Sequence, residues 1–217
     1  MRLLIVLTAA AGCLDAVCVT RLGSVFASVI TGNLVQLGRA IATVDGRLAA
    51  GATTAVGSYA FGVAAATVAL RGCDRGWGRR TSMVAAIEVI LLAGVAAGWV
   101  ATGAHPGHIT SPLLLGLAAA AMGIQSVVTI SSGIRGASTT YLTGTLTSVV
   151  RTVTVDPHRF AASAGGIARL AALLSGAALG ALVLRVAPLW ASVLPAALVA
   201  AVVVVAAALS RGRRGAS

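Results

Sequence analysis

The sequence predicts an all-α integral membrane protein made of two structural repeats, and three observations carry that prediction. Hydrophobic residues make up 58% of the 217 residues, charged residues only 10%, and the mean hydropathy is +0.98. A soluble domain carries about a quarter charged residues. The apolar runs are continuous and of the length of a membrane-spanning helix, about 20 residues, rather than the ~10-residue alternating segments of a barrel strand. Finally, a triplet in the first half, Thr31-Gly32-Asn33, returns in the second as Thr143-Gly144-Thr145 at an offset of 112, with Leu34 on Leu146, Arg39 on Arg151 and Ser28 on Thr140. The repeats are read as residues 1–104 and 105–217 of a single membrane domain.

Residues 1–20 form the first spanning segment. Arg2 is a thin basic start for a signal peptide, and more membrane follows it, so the stretch reads as a retained helix. Asp15 lies inside it, where an acid costs about 3 kcal/mol on insertion scales. The Thr31-Gly32-Asn33 segment comes next, bounded by Gly23 and Asp45-Gly46. Ser28, Gly32, Gln36 and Arg39 recur at spacings of four, four and three, a polar or small stripe along one helix face that must avoid lipid. Residues 49–70 span, with Ser58, Gly62 and Ala66 four apart as a seam for close helix contact. A basic loop at 71–80 precedes a span at 81–103. That span carries Glu88 and ends near Trp99, which reads as an interfacial anchor.

The second half opens after a loop holding His105 and His108. Pro106 and Gly107 between them argue for a turn rather than a metal site. Residues 113–130 span, apolar apart from Gln125, and aligning Met122-Gly123-Ile124-Gln125 with Gly12-Cys13-Leu14-Asp15 sets Gln125 opposite Asp15. Thr143-Gly144-Thr145 follows, ending at Arg151. Residues 164–186 span, with Ala172, Gly176 and Gly180 four apart, and 188–209 form the last span before a basic tail.

The net charge of +11 comes from sixteen Arg and no Lys, placed mainly between the apolar runs. Orientation by the positive-inside rule accounts for this, with some attraction to anionic lipid, and nucleic acid is not an expected partner. The same bias bears on topology. If all eight segments cross, the 71–80 loop and the tail fall on opposite faces. If the two TG segments are broken or re-entrant, six helices cross and most Arg share the inner face, with Arg21, Arg39, Arg47 and Arg185 outside. Six crossings are expected, with eight as the alternative. Three crossings per half invert the second half relative to the first.

No G-x-S-x-G or H-E-x-x-H frame is present, and Cys13, Cys18 and Cys73 show no metal-type spacing with His. No enzyme, catalytic residue, metal or cofactor is expected. Matching hydrophobic units broken by Gly point instead to the binding site of a transporter. A helix broken at Thr31-Gly32 leaves backbone groups that lipid cannot satisfy. The candidate solute- or ion-binding residues are Asp15, Thr31, Gly32, Asn33, Gln36, Glu88, Gln125, Thr143, Gly144 and Thr145. Either acid can carry a proton, ligate a cation or simply pair with a neighbour, and Arg169 is a candidate neighbour.

The ordered set Gly12-xx-Asp15-Ala16, Phe26-xxxx-Thr31-Gly32-Asn33, Glu88, Met122-Gly123-x-Gln125 and Thr140-xx-Thr143-Gly144-Thr145-Leu146 resembles the YoaK-like family of bacterial inner-membrane proteins across almost the whole chain. One departure is Ser126, where that family's pattern has a different polar residue. The family is of unknown function, so the resemblance implies a multi-pass location in the bacterial cytoplasmic membrane and no substrate.

The expectation is therefore a secondary transporter or facilitator of an unidentified small solute, with proton coupling open. A non-transporting membrane subunit or sensor is the alternative. Membrane lipid is the one certain partner, and the oligomeric state is open. Gly32 and Gly144 are expected in contact near mid-membrane, with Asp15 and Gln125 lining the same space.

Overall fold

The computed structural model describes residues 2–73, 76–131, 142–156 and 160–214. Among these the helices are α1 (Arg2–Arg21), α2 (Ile30–Thr43), α3 (Gly46–Ala69), α4 (Arg79–Ala101), α5 (Thr110–Ser131), α6 (Leu142–Val155), α7 (Phe160–Val186) and α8 (Val193–Arg214), with one 3-10 turn at Pro188–Trp190.

Six of these helices, α1, α3, α4, α5, α7 and α8, are long and apolar enough to cross a membrane. Among the described residues the two TG segments give 14-residue helices, α2 and α6. At 1.5 Å per residue each is about 21 Å long, short of a hydrocarbon core of about 30 Å. The architecture is thus six spans plus two short TG helices.

The path into α2 explains its length. After Arg21 the backbone takes left-handed conformations at Gly23 (φ 110°) and Ser24 (φ 62°). A positive φ suits glycine, and together the two residues reverse the chain. Residues 25–29 then run back along α1 without helical structure before α2 begins. At its far end Val44 adopts a left-handed conformation, and its N–H reaches the Ala40 and Ile41 carbonyls. Asp45 then caps α3, its Oδ1 accepting the Arg47 and Leu48 N–H groups at 3.1 and 3.0 Å. This αL-then-Asp sequence folds α2 back onto α3.

The helices pack as a ring of α1, α5, α4 and α8, with α7 outside α1, α3 outside α5, α2 on α3 and α6 on α7. Two seams set the closest approaches. A Cβ on Gly12 would strike the Leu173 carbonyl of α7, and one on Gly176 the Ala9 carbonyl of α1. Likewise a Cβ on Gly123 would strike the Tyr59 carbonyl of α3, and one on Gly62 the Ala120 carbonyl of α5. Both small-residue seams read from the sequence are therefore backbone-to-backbone contacts, where dispersion replaces the missing hydrophobic drive.

The seams also fix direction. Ala9 faces Gly176 and Cys13 faces Gly180, so α1 and α7 run parallel. Thr54 and Ser58 face Gly116 while Gly62 faces Ala120, so α3 and α5 do too. Gly94 faces Leu117 and Gly98 faces Leu114, so α4 and α5 are antiparallel. The end of α1 and the starts of α3 and α5 meet around one cavity of about 650 Å³ that includes Arg21, Arg47 and His108. So α5 begins at the face where α1 ends. The opposite face carries Arg2 and the 71–80 loop, whose Gly76 N–H donates to the Ser131 carbonyl at the end of α5 at 2.9 Å. The positive-inside rule makes that the inner face.

Trp99 departs from the sequence reading. It is fully buried, and its indole N–H donates to the Pro188 carbonyl at 2.8 Å. It ties α4 to the α7–α8 turn instead of anchoring at the lipid interface.

Candidate functional site

Residues 25–29 expose backbone groups inside the membrane layer, and three polar side chains meet them. The Ala27 and Ser28 N–H groups donate to Asp15 Oδ1 at 2.7 and 2.8 Å, and Ser28 Oγ donates to Asp15 Oδ2 at 2.5 Å. Asn33 makes a two-way bond with Phe26: Oδ1 accepts the Phe26 N–H at 2.8 Å, and Nδ2 donates to the Phe26 carbonyl at 2.7 Å. Gln36 Nε2 donates to the Ser24 carbonyl at 3.1 Å. Asp15, Ser28 and Asn33 are all buried. An unpaired peptide group in lipid costs several kcal/mol, so these side chains hold the broken segment in place.

A second polar cluster lies at the boundary of the halves. Gln125 Nε2 on α5 donates to Glu88 Oε1 on α4 at 2.8 Å, with Gln125 0% and Glu88 1% exposed. Thr129, one turn on, shares its hydroxyl between the Gln125 and Ser126 carbonyls at 2.9 Å each. Arg169 pairs with neither acid; its Nε donates to the Gly165 carbonyl at 3.3 Å, four residues back on its own helix.

The candidate residues therefore separate into groups. Asp15, Asn33 and Gln36 converge on residues 24–28. Thr31 is exposed, and Gly32 packs against Val29 and Phe26 side chains. Glu88 and Gln125 form their own pair. Thr143 and Gly144 line an open cavity of about 640 Å³ with Thr147, Ser148 and Arg151, all on α6, and Thr145 packs toward Gly166 of α7. Thr140, the match of Ser28, lies outside the described residues, as do Arg135 and Arg159.

Two expectations are corrected. α2 lies against α3 and α6 against α7, and the two are not packed on one another, so Gly32 and Gly144 do not meet. Asp15 and Gln125 do not line one space either. Each is six residues from the end of its helix, and the helices run in opposite directions, so Asp15 sits toward the outer face and Gln125 toward the inner one. The seams also revise the alignment. Asp15 follows Gly12 by three residues on α1, and the residue three beyond Gly123 on α5 is Ser126, not Gln125. No sequence signal marked the target of Asp15, because a backbone N–H has no letter of its own.

Comparison with known proteins agrees with this architecture. The family described as a protein of unknown function, DUF1275, matches residues 3–205. The chain is 32% identical over 152 residues to the UPF0700 transmembrane protein YoaK of Bacillus subtilis (strain 168), covering 70% of this chain and 66% of the relative's length, just under two thirds of it. No solved structure matches the chain.

Proposed function

The chain belongs to the DUF1275 family of multi-pass membrane proteins of unknown function, and within it we propose a secondary transporter or facilitator of a small solute, built from two inverted repeats. One observation carries this reading: α5 begins at the face where α1 ends, and each of these first helices packs on the third helix of the other half. Opposed halves that exchange contacts in this reciprocal way are the framework on which alternating-access carriers are built. The short α2 and α6, one per half, correspond to the discontinuous helices of such folds.

The solute site of this proposal lies between the halves at Glu88 and Gln125. Asp15 already accepts three donors from its own segment, whereas Glu88 accepts from Gln125 across the boundary. An acid at membrane depth marks an ion or proton path by default. Thr31-Gly32-Asn33 and Thr143-Gly144-Thr145 then serve as the hinges of the two broken segments.

A second reading, a non-transporting subunit or sensor, draws support from Gly32, which packs against the apolar side chains of Val29 and Phe26. A thermal-shift screen of ions and metabolites on the purified protein separates the two, because a ligand of the folded state raises Tm with occupancy. A ligand that stabilises the wild type and loses its effect in Glu88→Ala supports the transporter reading. A panel without any stabilising solute favours the subunit.

A further inference from the structure

Among the described residues of the spans, Arg169 is the one buried charged side chain that meets no charged or side-chain partner. It sits six residues into the span Ser163–Val186, about 9 Å along the helix. It is 8% exposed, its Nε donates only to the Gly165 carbonyl, and its Nη1 is buried with no hydrogen-bond partner among the described residues. A buried cation left in that condition costs several kcal/mol. Both acids at membrane depth are engaged elsewhere, Asp15 by the 27–28 backbone and Glu88 by Gln125. Among the described residues no acid pairs with it, which leaves Nη1 a donor in want of an acceptor.

The local geometry indicates from where such an acceptor would come. A helical side chain leans toward the N-terminus of its helix. The Nε bond to the carbonyl four residues back agrees with this, and lays the guanidinium over the Gly165-Gly166 turn, whose two glycines carry no side chain. The N-terminus of α7 is at the inner face, because α7 runs parallel to α1 and α1 begins there. On the same side of α7 the first turns of α6 approach, with Thr145 and Val149 methyls 3.2 and 2.7 Å from where a Gly166 Cβ would stand. A guanidinium is a planar fork that matches two oxygens of a carboxylate or phosphate.

We infer that Arg169 is the anchor of an anion site, toward the inner end of α7, that binds an oxyanion: either a small soluble carboxylate or phosphate, or the phosphate of an anionic lipid of the inner leaflet. The site stands whether or not the protein transports anything, since it rests on an uncompensated buried charge and not on the repeat.

The test uses the full-length protein in neutral detergent, as wild type, Arg169→Gln and Arg169→Lys. One arm titrates inorganic phosphate and succinate against chloride at equal ionic strength. The other adds phosphatidylglycerol or phosphatidylcholine as mixed micelles. The wild type gains a saturable rise in Tm in one arm, which also names the source of the anion. Arg169→Gln has a Tm at or above that of the ligand-free wild type, because the uncompensated charge is gone, and its anion response is at least tenfold weaker. Arg169→Lys keeps a weakened response, since charge remains and the fork is lost. If Arg169→Gln does not fold, Arg169→Lys decides: an unweakened response overturns the inference. It is equally overturned if neither oxyanion source stabilises the wild type beyond its control, or if Arg169→Gln responds as the wild type does.

Discussion

Asp15 and Ser28 are joined twice, once through the Ser28 N–H at 2.8 Å and once through its hydroxyl at 2.5 Å. With the Ala27 N–H as a third donor, one carboxylate fastens a non-helical stretch to the side of α1. Three donors converging on one carboxylate is the arrangement that makes irregular backbone tolerable at membrane depth, since the lipid offers nothing in exchange.

Substitutions of Asp15 follow from that geometry. Asp15→Ala leaves two buried N–H groups unsatisfied, an expected loss of about 2–6 kcal/mol at 1–3 kcal/mol for each. Asp15→Asn keeps an oxygen for the N–H groups but cannot accept the Ser28 hydroxyl as well, an expected loss of about 1–2 kcal/mol. Folded yield and Tm in detergent should fall in the order wild type, Asp15→Asn, Asp15→Ala. Equal stability of all three would show that the segment is held by something else.

The glycines divide by what surrounds them. Gly12, Gly62, Gly123 and Gly176 each meet backbone of a neighbouring helix, so Gly176→Val and Gly123→Val must push α7 from α1 and α5 from α3. Both should abolish folded yield, by the same amount in each half if the seams are equivalent. Gly38 on α2 has nothing within 4 Å, and Gly38→Ala should be neutral or gain up to about 1 kcal/mol through helix propensity. Size-exclusion profiles and thermal melts check both classes.

Topology is accessible through thiols. Cys73 is exposed, whereas Cys13 and Cys18 are buried, so Cys73 is the reactive native thiol. An impermeant maleimide should label it in inverted vesicles and not in intact cells, and His108→Cys combined with Cys73→Ser should show the reverse pattern. Labelling of Cys73 from outside would invert the assignment of faces.

Glu88 is held to a narrower expectation. Glu88→Gln retains a carbonyl oxygen for Gln125 Nε2, and Tm should change little. Glu88→Ala removes the acceptor from a fully buried amide and should cost about 1–3 kcal/mol. A stable Glu88→Gln protein that no longer binds or moves its solute would assign the residue to function.

Much of this architecture was legible in the sequence. The six spans follow from length and hydropathy, the seams from Gly62, Gly176 and Gly180 at helical spacing, and the faces from Arg. What hydropathy could not separate was the extended stretch 25–29 from a helix, because Val25, Phe26, Ala27 and Val29 are apolar in either state; the run therefore looked long enough to cross. The pairing of Asp15 with Gln125 was a slip of one residue, and one residue is about 100° around a helix. The expected meeting of Gly32 with Gly144 failed for a different reason. Each half lends its third helix to the first helix of the other, and this keeps α2 on α3 and α6 on α7. Arg169 drew attention only as a partner for an acid, since its orphaned Nη1 is a property of packing.

Whether the opposed halves carry a solute between them is decided by flux. The solute identified by thermal shift is loaded, radiolabelled, into proteoliposomes holding wild-type protein or Glu88→Gln, beside protein-free vesicles. Saturable exchange is expected with the wild type, with loss of at least about nine-tenths of it in Glu88→Gln and none without protein. Binding that never leads to exchange, or exchange untouched by Glu88→Gln, would contradict the transporter reading.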